Sequence, residues 1–265
     1  MKGLKDSWVL ARESSMSWRK TTTATTMKTC VILTLLLMAA VSLADIQKRV
    51  TSGRACKAEE SQQHVFVEAR KEGKVGRCCG TLIQGGSWVI TAGHCDVFGE
   101  SLRVIGLNGD HVDVDQKDIK KHKSADLMLL KLSRTMSGDI SLPADDDCKP
   151  ENFQEMMASN TPSLVLVGQD TSSGDAGKIM CGDVHLGRAS YEWKSSGQVV
   201  HLGITLSSQA LEGDSGGGLI QKNALNKYVL QGVNTRYDTK ETVSLDVCHY
   251  RTWINKKTTK HHKKH

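Results

Sequence analysis

From residue 64 onward the chain alternates between short apolar runs and polar breaks. HVFVEAR (64–70), SWVITAG (87–93), SLRVIGL (101–107), HVDVD (111–115), DLMLLKL (126–132), SLVLVGQD (163–170), QVVHLGIT (198–205), GGLIQ (217–221), KYVLQGV (227–233) and TVSLDV (242–247) are rich in Val, Ile and Leu. Several alternate with period two, which puts one side of a strand in a core and the other outward. Clusters of Gly, Asn, Asp and Ser separate them, as turns require. No helical pattern of 10–15 residues intervenes, so the spacing predicts an all-β fold of barrels or sandwiches rather than βαβ units. One helix is predicted at the end, where Val247, Tyr250, Trp253 and Ile254 recur at three-to-four spacing. PADDDCKP (143–150) reads as a linker between two halves. No internal repeat is evident.

The first 49 residues follow a different pattern. MKTCVILTLLLMAAVSLAD begins at Met27 with a basic Lys28, an apolar run over 31–40, and small residues at Ser42 and Ala44. This is the layout of a secretory signal peptide, with cleavage predicted after Ala44. The apolar run is short of the roughly 20 residues that span a bilayer. The alternative is a signal anchor with residues 1–26 as a cytoplasmic tail. Residues 1–26 are otherwise a polar extension without a pattern. Lys48-Arg49 then offers a dibasic cut, making Asp45–Arg49 a five-residue propeptide and Val50 the new terminus.

The formal net charge of +6 lies at the two ends of the chain. Residues 1–49 hold eight Lys/Arg and three Asp/Glu, and the tail KKTTKHHKKH (256–265) holds five lysines; the body between has 22 basic against 26 acidic residues. A mildly acidic body gives no basis for a nucleic-acid partner. Hydrophobic content of 38% supports a buried core, and eight cysteines point to an oxidising compartment.

The candidate chemistry starts at LEGDSGGGLI (211–220), where Asp214 and Ser215 sit among glycines. A glycine cluster is most simply a tight turn. Two other segments change that picture. SWVITAGHCD ends an apolar strand on His94, and SADLMLLKL opens another on Asp126. Taken with RVTSG at 49–53 and CHYRTWI at 248–254, these boxes resemble the chymotrypsin-like (trypsin-family) serine peptidases, over residues 49 to about 255.

The resemblance implies two packed antiparallel six-stranded β-barrels with a C-terminal helix, the first over about 50–140 and the second over about 141–255. It implies a catalytic set of His94, Asp126 and Ser215. A serine hydroxyl is a weak nucleophile, and a histidine within hydrogen-bond reach takes its proton. A buried aspartate holds the imidazole in one tautomer and stabilises the imidazolium. The N–H groups of Gly213 and Ser215 would form the oxyanion hole, with the glycines letting the backbone approach the substrate carbonyl. After a cut at Arg49, the Val50 amine would fold inward and pair with Asp214. The expected product is a secreted, extracellular serine endopeptidase made as a zymogen, with a secretory granule as an alternative location. The competing reading is a catalytically silent homologue acting as a binding protein.

The same resemblance predicts disulfides Cys79–Cys95, Cys56–Cys181 and Cys148–Cys248. Cys30 leaves with the signal peptide, and Cys78 is then a buried apolar filler or a thiol open to intermolecular pairing. Two further family bridges lack both partners here. The specificity pocket also departs from the family. Gln209 lies where tryptic members place an aspartate, Thr235 replaces a serine, Arg236 a tryptophan, and Thr242 a glycine. Gln209, Thr235 and Arg236 therefore predict a non-tryptic pocket, with Arg236 suited to an acidic or polar residue. The stretch between His94 and Asp126 is short, and the carboxylates of DHVDVDQKD alternate between faces, so no metal and no cofactor is expected. Expected partners are protein or peptide substrates, an activating trypsin-like protease and protein inhibitors, with the chain a monomer. The basic tail reads as a frayed end, or, more sharply, as a patch for sulfated glycans.

Overall fold

The computed structural model describes residues 53–159, 163–170, 178–194, 197–205, 214–237 and 242–259. The leader, the propeptide ending at Arg49, the expected new terminus Val50, Gln209, Gly213 and the last six residues of the tail lie outside the described residues. Among the described residues, fourteen strands and three helices run in the order β1 (Arg54–Ala55), α1 (Ala58–Ser61), β2 (His64–Lys71), β3 (Lys74–Ile83), β4 (Trp88–Thr91), β5 (Leu102–Gly106), β6 (His111–Val114), β7 (Ile119–Lys121), β8 (Met128–Lys131), α2 (Pro150–Ala158), β9 (Leu164–Asp170), β10 (Lys178–Lys194), β11 (Gly197–Thr205), β12 (Gly218–Lys222), β13 (Tyr228–Tyr237), β14 (Thr242–Asp246) and α3 (Val247–Thr258).

All strand pairings within the two sheets are antiparallel. The second sheet runs β10-β11-β14-β13-β12-β9, and β9 also pairs with β10, which closes a ring of six. β1 is added to β10, so Arg54 and Ala55 belong to this second sheet. The first sheet runs β6-β5-β2-β3-β4-β8-β7, seven strands rather than the expected six. The difference is a break: a 3-10 turn at Gln116–Asp118 divides what would be one strand into β6 and β7.

Period two sorts the residues into three cores. Val65, Val67, Leu82, Val89, Val104, Met128 and Leu130 fill the first sheet. Leu164, Leu166, Val184, Leu202 and Leu219 fill the second, with Met156 of α2 closing one end. Ile83, Trp88, Ile90 and Leu129 meet Val165, Val167, Leu230, Val233 and Leu245 in a third cluster between the sheets. Both faces of the central strands are thus covered, which is why β4 reads as a continuous apolar run.

The ten predicted runs all contain strands, but several elements escape the pattern. β3 is interrupted by Gly76 and Gly80, and these glycines are packing choices. A Cβ at Gly80 would stand 2.7 Å from Val89 Cγ1, and one at Gly76 2.9 Å from Val97 Cγ2. α2 starts at the last residue of the segment read as a linker; Pro150 takes the first helical position, where a missing N–H is harmless. α3 buries Val247, Tyr250 and Ile254 as its spacing predicts, and it continues into the tail. Lys256 to Thr258 are helical because Thr258 is itself buried and its Oγ1 donates to the Ile254 carbonyl at 3.0 Å.

Three disulfides form: Cys56–Cys181, Cys78–Cys95 and Cys148–Cys248. Two match expectation. The third corrects it, because Cys78 and not Cys79 bridges to Cys95. Strand alternation decides between the neighbours. Cys78 stands opposite Val67 on the face turned into the first sheet's core, where Cys95 also lies. Cys79 stands opposite Phe66 on the other face, is fully buried and lies outside any disulfide.

Candidate active site

His94 sits in a 3-10 turn over Gly93–Cys95, just beyond β4. Asp126 sits in the bend before β8, and β4 pairs with β8 through Thr91 and Met128. That pairing brings together two residues 32 positions apart. Asp126 Oδ2 lies 2.6 Å from His94 Nδ1, and its Oδ1 accepts from the His94 backbone N–H at 2.7 Å. The Gly93 N–H also bonds to this carboxylate. A Cβ at Gly93 would stand 3.0 Å from Asp126 Oδ1, so a small residue suits this approach.

An ionised Asp126 requires its neighbour to carry the proton on Nδ1, which leaves Nε2 of neutral His94 as an acceptor. The electrostatics agree. Burial pushes the Asp126 carboxyl up, but the His94 hydrogen bond and charge and the Gly93 N–H outweigh it and hold it low. The hydrogen bond to Asp126 raises His94 above its ordinary value, against partial burial. One expectation needs correcting: Asp126 is only partly buried, since 37% of its side chain is exposed, as is 45% of that of His94.

Ser215 is half-exposed, at the turn before β12, and its backbone is tied on both sides. Its carbonyl accepts from the Cys79 N–H at 2.8 Å and lies 3.9 Å from Cys95 Sγ, next to His94. The Gly216 N–H donates to the Asn234 carbonyl at 2.6 Å, and the Asn234 N–H to the Gly217 carbonyl at 2.9 Å. Gly216 has φ +82°, and a Cβ there would fall on Thr91 Oγ1 and the Cys79 carbonyl. Gly216 therefore answers to the protein's own backbone, in addition to any approach of substrate. Asp214 is fully buried, and its Oδ1 accepts from the Gln169 N–H at 2.9 Å.

Two of the three pocket residues are visible. Thr235 is buried and donates from Oγ1 to the Val243 carbonyl at 3.3 Å; Arg236 is exposed. A bulge falls between Asn234 and Arg236, after which β13 and β14 stay paired to Tyr237 and Thr242. Residues that sequence reasoning missed hold this region from outside. The buried Asp96 accepts from Lys121 Nζ at 2.8 Å and from the Gly99 N–H at 3.0 Å, fastening β7 to the loop after Cys95. Asn234 locks the serine loop through its backbone, and His122 folds over the turn before Asp126. None carries a local signal, because each acts through a partner distant in sequence or through main-chain atoms.

Among groups that could hold a metal, Cys78, His94 and Cys95 converge within 4.8 Å, but both sulfurs are consumed in the disulfide.

A family model described as "Trypsin" matches residues 50–254. The chain is similar to rat kallikrein-8, 24% identical with 86% of this chain and 94% of the relative covered. It is similar to rat cationic trypsin-3 at 26% and to dog serine protease 1 at 25%, covering 86% of this chain and 97% of each relative. With this match over most of its length, two antiparallel sheets and the His94–Asp126 pair beside the Ser215 loop, the chain belongs to the trypsin family.

Proposed function

We propose that this protein is a secreted serine endopeptidase made as a zymogen, acting through His94, Asp126 and Ser215. The observation that carries the reading is the 2.6 Å His94–Asp126 pair, set beside a serine loop that Cys79 and Asn234 hold in place. In this reading the bare Nε2 of His94 takes the proton from Ser215 Oγ as the oxygen attacks the substrate carbonyl carbon. The N–H groups of Gly213 and Ser215 stabilise the oxyanion. His94, now imidazolium against Asp126, gives the proton to the leaving amine as the scissile C–N bond breaks, leaving the acyl group on Ser215 for water to hydrolyse. Activation is a cut after Arg49, freeing the Val50 amine to pair with Asp214.

The specificity is proposed to be non-tryptic. Gln209 supplies no counter-charge for Arg or Lys, and the exposed Arg236 favours an acidic or polar side chain. Thr242, fully buried in the β13–β14 ladder, replaces the glycine common at that place.

The test is direct. Residues 45–265 are cut after Arg49 with trypsin, the trypsin is removed, and a fluorophosphonate probe is titrated beside Ser215→Ala. Labelling that needs both the cut and Ser215 supports the peptidase. A folded, correctly cut protein that does not label would establish the silent homologue instead.

A further inference from the structure

We infer that His122 is a positioning residue for the candidate site, holding Asp126 in register with His94 through the backbone rather than through burial; this rests on the peptidase reading for its catalytic consequence only. The inference starts from the exposure of Asp126. A carboxylate left 37% exposed in a loop between two short strands is held only in part by packing, so the main chain that carries it calls for a further restraint.

His122 supplies that restraint. Its Nδ1 accepts from the Ala125 N–H at 3.1 Å and the Ser124 N–H at 3.3 Å, and lies 3.2 Å from Ser124 Oγ. These are the two residues immediately before Asp126. The backbone closes the same loop: the His122 N–H donates to the Leu127 carbonyl at 2.8 Å, and the Leu127 N–H to the Ala125 carbonyl at 2.8 Å. Asp126 is thus carried on a six-residue loop from 122 to 127 cross-braced by one imidazole nitrogen.

The imidazole is itself fixed. Its ring meets Tyr250 edge-on with centroids 5.1 Å apart and Trp253 at 5.0 Å, both on α3. Such contacts orient a ring more than they stabilise it. α3 is anchored in turn by Val247, Tyr250 and Ile254 in the inter-sheet core and by Cys148–Cys248. A route of packed groups therefore runs from the C-terminal helix to the Asp126 turn. An Nδ1 that accepts two N–H donors must be unprotonated, which places the ring proton on Nε2. Partial burial and the charge of His249 hold the ring below its ordinary value, in keeping with that neutral form.

Three substitutions separate the acceptor from the packing. His122→Phe keeps an aromatic ring against Tyr250 and Trp253 and removes the acceptor. His122→Asn places an amide oxygen where Nδ1 stood. His122→Gln places its amide one bond too far. Each is made in the activated 50–265 chain with Ser215→Ala, and the downfield Nδ1–H proton resonance and the pH titration of His94 are followed by NMR. This readout reports the His94–Asp126 bond whether or not the protein is a peptidase. Expected are a weakened resonance and a His94 pKa displaced toward 6.5 in the Phe and Gln variants, with both restored in the Asn variant. A Phe variant whose resonance and titration match those of the parent overturns the inference.

With Ser215 restored, fluorophosphonate labelling of His122→Phe is expected to slow by about 10- to 100-fold, the usual cost of misplacing a catalytic group. Parental labelling alongside a failed Phe variant supports the inference. A parent that does not label at all sinks the proposed function and leaves the NMR result to decide the role of His122.

Discussion

At the scale of single residues, the site depends on atoms with little tolerance for change. Asp126→Asn keeps the shape but cannot accept from both the backbone N–H and a protonated Nδ1 of His94. In the proposed peptidase it is expected to lower kcat by about 10⁴-fold, with substrate affinity little changed, as steady-state kinetics would reveal. The same variant should lower the His94 pKa, because the hydrogen bond to Asp126 is the leading cause of its elevation. Gly216→Ala combines φ +82° with a Cβ that collides with Thr91 and Cys79. It is expected to cost more than about 2 kcal/mol in denaturant melts and to abolish fluorophosphonate labelling. A variant that melts with the parent would show that the serine loop is softer than its hydrogen bonds imply.

At the scale of elements, β3 shows how period two assigns roles. Cys78 and Cys79 are adjacent and chemically identical, yet one side chain faces the first sheet's core and the other the opposite face, with the Cys79 N–H bonded to the serine loop. Cys78→Ser removes a bridge closing a 17-residue separation and is expected to cost about 3 kcal/mol, with Cys95 becoming open to alkylation. Cys79→Ser leaves all three bridges in place, and intact-mass analysis should count six bridged cysteines in the mature chain. Reduction of the alkylation pattern to one bridge through Cys79 would reverse the assignment. α2 and β3 were hard to read for the same reason. Their apolar residues are few and broken by Gly, Pro and charge, and contacts across strands rather than local pattern hold them.

At the scale of the molecule, buried titratable groups decide how the fold meets acid. His64 is 2% exposed, neither ring nitrogen has a hydrogen-bond partner, and burial lowers its pKa to about 4. The unfolded chain then binds more protons than the folded one between about pH 4 and 6.5. Stability from this group is full above that window and is lost as pH falls through it, by up to about 3 kcal/mol. Asp246, raised to about 6 by burial despite capping α3, acts in the opposite sense. Its folded form binds the extra proton, so its share of stability is lost as pH rises from about 4 to 6. Whole-protein melts therefore blend the two. Comparison with His64→Leu isolates one: the variant should gain on the parent steadily from pH 7 to pH 4. A constant difference across that range would refute the burial argument.

Much of this protein was determined by sequence alone. The strand-forming runs, the all-β class, the C-terminal helix and the His94, Asp126 and Ser215 boxes are local patterns, set by residues close together along the chain. So were the Cys56–Cys181 and Cys148–Cys248 pairings, through the resemblance those boxes carry. The tertiary structure alone decided which of two neighbouring cysteines is bridged, that a strand of the first sheet is broken into β6 and β7, that Asp126 stays partly exposed, and that His122 and Asn234 brace the site. Each of these depends on which face of a strand or loop meets which partner far along the chain. Composition and periodicity say that a residue will be buried or paired; only the packing of distant elements says against what.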